Sequence, residues 1–89
     1  MKVVILYRPN SEHARGVEEF VHGYTVRYPE AKVETLNIDS REGTAMASLY
    51  DIIQYPALMV LTVDGSMIKL WQGETIPRLD EVAAYGYTM

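Results

Sequence analysis

The chain has 89 residues, of which 48% are hydrophobic and 22% are charged, a balance typical of one globular domain with a single core. It contains no cysteine, which excludes disulfides, thiolate nucleophiles, cysteine-ligated zinc and iron–sulfur clusters. Eight basic residues against 12 acidic ones give a net charge of −4 with no basic cluster, so nucleic acid is not an expected partner. We expect a single domain over residues 1–89.

The first predicted element is a strand from Val3 to Tyr7, a β-branched and aromatic run typical of a strand buried on both faces. This run is too short for a signal peptide or a membrane span, so we expect a cytoplasmic protein that does not contact the membrane. Pro9 ends the strand, and Asn10 or Ser11 is predicted to cap the helix that follows.

That helix is predicted from apolar residues spaced three and four apart, which form one face. The residues of this face are Ala14, Val17, Phe20, Val21 and Tyr24. Glu12 is expected in the first turn and Arg27 in the last, both favourable to the helix dipole. Pro29 is predicted to stop the helix.

The next pair of elements is a strand and a short helix. Residues 32–38 alternate in polarity, which predicts a strand near a sheet edge. Asp39 and Glu42 have the spacing of a capping box and predict a second helix that continues through Tyr50.

A hairpin and a last helix complete the prediction. Pro56 is expected to form a turn, and two strands over 57–63 and 66–72 flank Asp64-Gly65, a strong hairpin signal. Pro77 suits the first turn of a final helix with Leu79, Val82 and Ala83 on its inner face. The predicted order is β-α-β-α-β-β-α. It implies an α/β fold in which a mixed four-stranded sheet has helices on both faces.

Over nearly all of its length the chain resembles thioredoxin. The matching segments are Leu36-Asn37-Ile38-Asp39, Gly43-Thr44-Ala45, Tyr50, Ile52 or Ile53, Tyr55-Pro56-Ala57-Leu58, Asp64-Gly65 and Gly73. The resemblance implies the thioredoxin-like fold. It also implies that Ser11-Glu12-His13-Ala14 stands where thioredoxins carry Cys-x-x-Cys at the start of the long helix.

The departures from this family concern its chemistry. Ser11 stands at the attacking position, Ala14 at the resolving position, and Ile5 where thioredoxins place a buried aspartate. Because disulfide exchange requires a thiolate, we predict a redox-inactive protein.

The resemblance also implies a binding groove. In thioredoxins the proline that matches Pro56 follows a cis peptide bond, and the backbone before it pairs with an extended peptide. We therefore predict a protein- or peptide-binding module. Its predicted groove residues are Asn10, Ser11, Glu12, His13, Tyr55, Pro56 and Gly73.

No catalytic residue, metal site or cofactor is predicted. Ser11 and His13 are two residues apart and do not face each other on a helix. His13 and His22 are predicted on opposite sides of that helix, and Glu18 with His22 is interpreted as a surface pair.

Two alternative functions stay open at this point. Ser11 resembles the serine with which some glutathione transferases bind the glutathione sulfur, which implies binding of an external thiol. Leu6-Tyr7 and Pro9-Asn10-Ser11 are similar to the KaiB clock-protein family, which implies a regulatory protein that works by association. The sequence leaves the partner, the pathway and the oligomeric state open.

Overall fold

The computed structural model describes residues 2–73 and 76–87. In chain order its elements are β1 (Lys2–Tyr7), α1 (Ala14–Arg27), β2 (Lys32–Asn37), α2 (Arg41–Leu49), β3 (Ala57–Leu61), β4 (Met67–Gln72) and α3 (Leu79–Tyr87). The predicted order of elements is confirmed.

The four strands form one mixed sheet in the order β2-β1-β3-β4, so β2 lies at an edge as predicted. Strand β1 runs parallel to β2 and antiparallel to β3, and β3 pairs antiparallel with β4. The carboxyl ends of β1, β2 and β4 therefore meet the amino end of β3 along one edge of the sheet, the edge formed by strand ends and not the side edge that β2 occupies. The segments that contain the predicted groove residues lie at this edge.

Apolar side chains cover both faces of the sheet, as the pattern predicted. The core between the sheet and helices α1 and α3 contains Val3, Ile5, Val17, Phe20, Tyr24, Leu58, Val60, Val82 and Ala83. The core between the sheet and helix α2 contains Val4, Leu6, Ala47, Ile52, Ala57, Met59 and Leu61. Because successive residues of a strand point to opposite faces, a continuous run such as residues 3–6 contributes to both cores.

The hairpin strands are shorter than predicted because a four-residue turn begins at Thr62. The Gly65 N–H donates to the Thr62 carbonyl over 3.1 Å, and Gly65 has a φ of +93°. Val63 therefore leaves the sheet and is 93% exposed. The Asp64 carboxylate accepts from the Thr62 hydroxyl and the Ser66 N–H, and these bonds lower the pKa of Asp64.

The predicted start of α1 is wrong. Its N-cap is His13, which makes no side-chain capping bond, so neither Asn10 nor Ser11 caps the helix and Glu12 lies outside the first turn. The Ser11 hydroxyl donates instead to the Arg8 carbonyl over 2.5 Å. Arg27 lies in the last turn as predicted.

The predicted starts of the other two helices are also displaced. Ser40, not Asp39, caps α2, and both carboxylate oxygens of Asp39 bind Arg8. In α3 the Arg78 carbonyl accepts from the Val82 N–H over 3.3 Å, so Pro77 precedes the first turn and is not part of it.

Candidate functional site

Pro56 occupies the centre of the sheet edge where the loops meet. It is buried and immediately precedes β3. The Tyr55–Pro56 peptide bond is cis, the isomer that the thioredoxin resemblance implied. The Pro56 carbonyl accepts from the Gly73 N–H over 3.2 Å, so the segment before β3 is joined to the end of β4.

On one side of Pro56 lies a groove of about 660 Å³, which we call the α1–α3 groove. Its lining residues are Glu12, His13, Gly16, Glu19, Phe20, Pro56, Ile76, Pro77, Arg78 and Leu79. Three predicted site residues, Glu12, His13 and Pro56, are therefore brought together. The volume falls within the range of small-ligand pockets, about 300–1,000 Å³.

A second concavity, of about 560 Å³, is lined by Gln54, Tyr55, Gln72 and Gly73. It adjoins the first because Tyr55 directly precedes Pro56 in the chain. The Gln72 side-chain carbonyl accepts from the N–H groups of Ile53 and Gln54, at 3.2 and 3.3 Å. The predicted residues Tyr55 and Gly73 thus lie here and not in the α1–α3 groove.

Asn10 and Ser11 line neither concavity. Asn10 lies in the left-handed region, with a φ of 67°, and shapes the loop after β1. Ser11 and His13 both bond to Arg8, through its carbonyl and its N–H respectively. The His13 Nε2 atom accepts from that N–H at 3.0 Å, which orients the ring at the mouth of the groove.

Several groove residues were not predicted from the sequence. Phe20 was assigned to the core, and it is only 7% exposed, yet it also lines the groove. Gly16 could have been noticed in the sequence, because an isolated glycine lowers the stability of a helix and therefore suggests a packing or functional role. A Cβ atom at Gly16 would meet nothing within 4 Å, so this glycine faces open space.

A third cavity of about 370 Å³ lies between α1 and the first two strands. Glu18 and His22 both line it, together with Tyr7 and Thr35. Burial raises the pKa of Tyr7, and the charge and hydrogen bond of Glu18 raise it further. Glu18 and His22, interpreted above as a surface pair, therefore border a small cavity.

Within residues 2–73 and 76–87, no three side chains of the His, Asp and Glu types come together as metal ligands. Nor does that part of the chain contain a helix long and apolar enough to cross a bilayer.

The fold has well-matched relatives among solved structures. Thioredoxin 1 from Thermosipho africanus superimposes with a TM-score of 0.72 at 9% identity, over 99% of this chain and 93% of that one. The oxidised thioredoxin from Plasmodium falciparum gives 0.75 at 15% identity, over 93% and 78%. The fold is that of the thioredoxins. Thioredoxin O2 from Arabidopsis thaliana agrees, with a TM-score of 0.73 at 11% identity over 99% and 73%.

At these identities the likeness extends to the fold alone. No family model matches the chain, and no curated protein sequence does. The function of this thioredoxin-like chain therefore depends on its own residues, and its whole sequence contains no cysteine.

Proposed function

We propose that this chain is a redox-inactive thioredoxin-like protein that binds an extended segment of a partner protein in the α1–α3 groove beside Pro56. The observation that carries the proposal is the groove itself. It combines an apolar floor with polar groups at its rim, the composition of sites that bind peptides through a few anchoring side chains.

The floor is built from Phe20, Pro56, Ile76 and Leu79, which come from α1, the loop before β3 and the segment that leads into α3. Phe20 and Pro56 are buried, and the other two are half-buried. An apolar side chain placed here would cover Ile76 and Leu79 further. Each buried apolar side chain contributes about 1.5–3 kcal/mol to association before the costs of binding are subtracted.

The chemistry of the chain supports a role in binding over one in thiol exchange. Exchange needs a thiolate that attacks and a second thiol that resolves, and the sequence supplies neither. Serine and alanine at positions 11 and 14 leave the region next to Pro56 with no group that forms a disulfide.

The external-thiol alternative receives less support. Binding of a glutathione sulfur through Ser11 requires its hydroxyl to point outward as a donor, but this hydroxyl already donates to the Arg8 carbonyl over 2.5 Å. Regulation by association, as in the KaiB family, would be a use of the same binding activity and not a different chemistry.

The groove can be tested by filling it at Gly16. Gly16→Leu adds a side chain where a Cβ meets nothing within 4 Å. Side chains on a helix lean toward its N-terminus, so the leucine would project over the turn that contains Glu12 and His13. Helix propensity improves as well, so the variant should fold at least as stably as the parent.

The probe is a library of random octapeptides displayed on phage, selected on the parent chain. A recovered peptide is then synthesised with fluorescein, and its Kd is measured by anisotropy. We expect Gly16→Leu to weaken binding by about tenfold or more, equivalent to about 1.4 kcal/mol. Ser48→Leu, on an exposed position of α2 across the sheet, is the matched control and should leave Kd unchanged. A library that yields no peptide above background, or a peptide that Gly16→Leu binds equally well, would refute the proposal.

A further inference from the structure

The charges around the α1–α3 groove are asymmetric. Its lining contains two carboxylates, Glu12 and Glu19, and one guanidinium, Arg78. Both carboxylates belong to the α1 side, whereas Arg78 lies on the α3 side. A bound segment would interact most strongly with those charges that have no ion-pair partner within the protein.

Arg78 is already paired. Its Nε and Nη2 atoms donate to the two carboxylate oxygens of Asp80, at 3.2 and 2.9 Å. This bidentate bond to Asp80, together with the charge of the nearby Glu81, raises the pKa of Arg78. The same bond lowers the pKa of Asp80. The only guanidinium in the described groove lining therefore has two carboxylates beside it, those of Asp80 and Glu81.

The two carboxylates of the α1 side are less compensated. Among residues 2–73 and 76–87, Glu12 makes no ion pair, and Glu19 has only an exposed pair with Arg15 at 3.4 Å. Exposed i,i+4 pairs of this kind are weak and are screened by salt.

The positions of these groups suit an extended ligand. Glu12 lies just before α1 and Glu19 lies within it, seven positions later, so the two carboxylates occupy different places along the α1 side of the groove. Residues i and i+4 of an extended peptide are roughly 13 Å apart and point to the same side, with residue i+2 between them. An apolar residue at the centre would meet the floor formed by Phe20 and Leu79. Long basic side chains on either side of it would reach the two carboxylates.

We propose that the segment bound beside Pro56 carries Lys or Arg on both sides of one apolar side chain. This inference rests on the proposed function and adds the chemical class of the ligand. It is supported by charge complementarity, since carboxylates outnumber guanidinium groups in the described lining and the whole chain has a net charge of −4. Complementary charges at a rim increase association rates and discriminate between partners.

The test uses charge reversal with the same phage library. The parent chain should enrich octapeptides in which Lys or Arg flanks an apolar residue at positions −2 and +2. The double variant Glu12→Lys with Glu19→Lys should instead enrich Asp or Glu at those positions. Glu30→Lys with Glu42→Lys is the control, because it changes net charge equally at exposed positions outside the groove.

Affinities then quantify the preference. For a labelled peptide selected on the parent, the groove double variant should raise Kd at least about tenfold, while the control should raise it much less. Replacing the peptide's two basic residues with Glu should restore binding to the groove double variant. Raising salt from about 50 to about 300 mM should weaken the parent complex, because screening acts on exposed charges.

The outcomes separate the two proposals. Two outcomes would overturn the charge inference while still supporting peptide binding in the groove. In the first, binding depends on Gly16 but the selected peptides show no preference for basic residues; in the second, both double variants change that preference equally. A library that yields no groove-dependent peptide would overturn both. Reversal of the preference in the groove variant alone would support both.

Discussion

The helices that follow the two parallel strands begin at the same edge of the sheet but are built differently. At the start of α2, Ser40 Oγ accepts from the Gly43 N–H at 3.0 Å and its hydroxyl donates to the Asn37 carbonyl at 2.6 Å. The Asn37 side chain accepts from the Asp39 N–H at 2.8 Å. At the start of α1, by contrast, His13 provides no side-chain cap.

The same contrast applies to packing. A Cβ atom at Gly43 would lie 2.0 Å from the Asn37 carbonyl oxygen, so the backbone of α2 is pressed against the end of β2. A Cβ atom at Gly16 in α1 would meet nothing within 4 Å. One helix start is closed by local bonds and backbone contact, whereas the other borders an open groove. The difference indicates where this fold has room for a ligand.

The largest effect is expected from alanine at the two glycines. Gly43→Ala forces a methyl group onto a carbonyl and should lower the free energy of unfolding by roughly 3 kcal/mol, because overpacking against backbone cannot relax by rotamer changes. Gly16→Ala should raise it by about 0.5–1 kcal/mol through helix propensity. Urea denaturation followed by circular dichroism measures both. Equal effects at the two positions would contradict the contrast between the helix starts.

A smaller difference is expected between the two serines. Ser40→Ala removes a helix cap and should cost about 1 kcal/mol. Ser11→Ala removes one bond to the Arg8 carbonyl outside the helix and should cost roughly 0.5 kcal/mol. Chemical denaturation again provides the comparison, with Ser48→Ala as an exposed control. A larger loss at Ser11 than at Ser40 would mean that Ser11 contributes to the start of α1 after all.

The smallest effect on stability is expected from the ion pair that joins the loops before α1 and α2. Arg8 binds Asp39 through both carboxylate oxygens, but both side chains are more than half exposed. Arg8→Ala should therefore shift the urea midpoint less than Ser40→Ala does, and the shift should shrink in high salt. In a double-mutant cycle with Ser40→Ala the two effects should add. Clear non-additivity would show that the helix starts are coupled.

Much of the architecture was accessible from the sequence because it depends on local periodicity. The run from Val3 to Tyr7 indicated a strand buried on both faces; residues 3–6 are fully buried, whereas Tyr7 is half-buried. The helix caps were less predictable, since several neighbouring side chains can cap the same helix. Asp39 was predicted to cap α2, but Ser40 caps it, and the Asp39 carboxylate binds Arg8 from another loop.

The candidate site likewise contains some residues that the sequence predicted and others that it did not. Glu12, His13 and Pro56 were predicted in one groove and lie in one, whereas Tyr55 and Gly73 border the adjoining concavity. Ile76 and Leu79 were not predicted as lining residues. They reach the groove only because the segment leading into α3 packs beside α1, a contact between parts of the chain about sixty residues apart.

By itself, the sequence determined the order of the elements, the mixed sheet and the absence of thiol chemistry. The first two follow from the alternation and spacing of apolar residues, and the third from the lack of cysteine. Only the tertiary structure decided which residues line the α1–α3 groove and which of its charges are compensated. Both depend on side chains that different segments bring within a few ångströms of each other, and no local pattern encodes those distances.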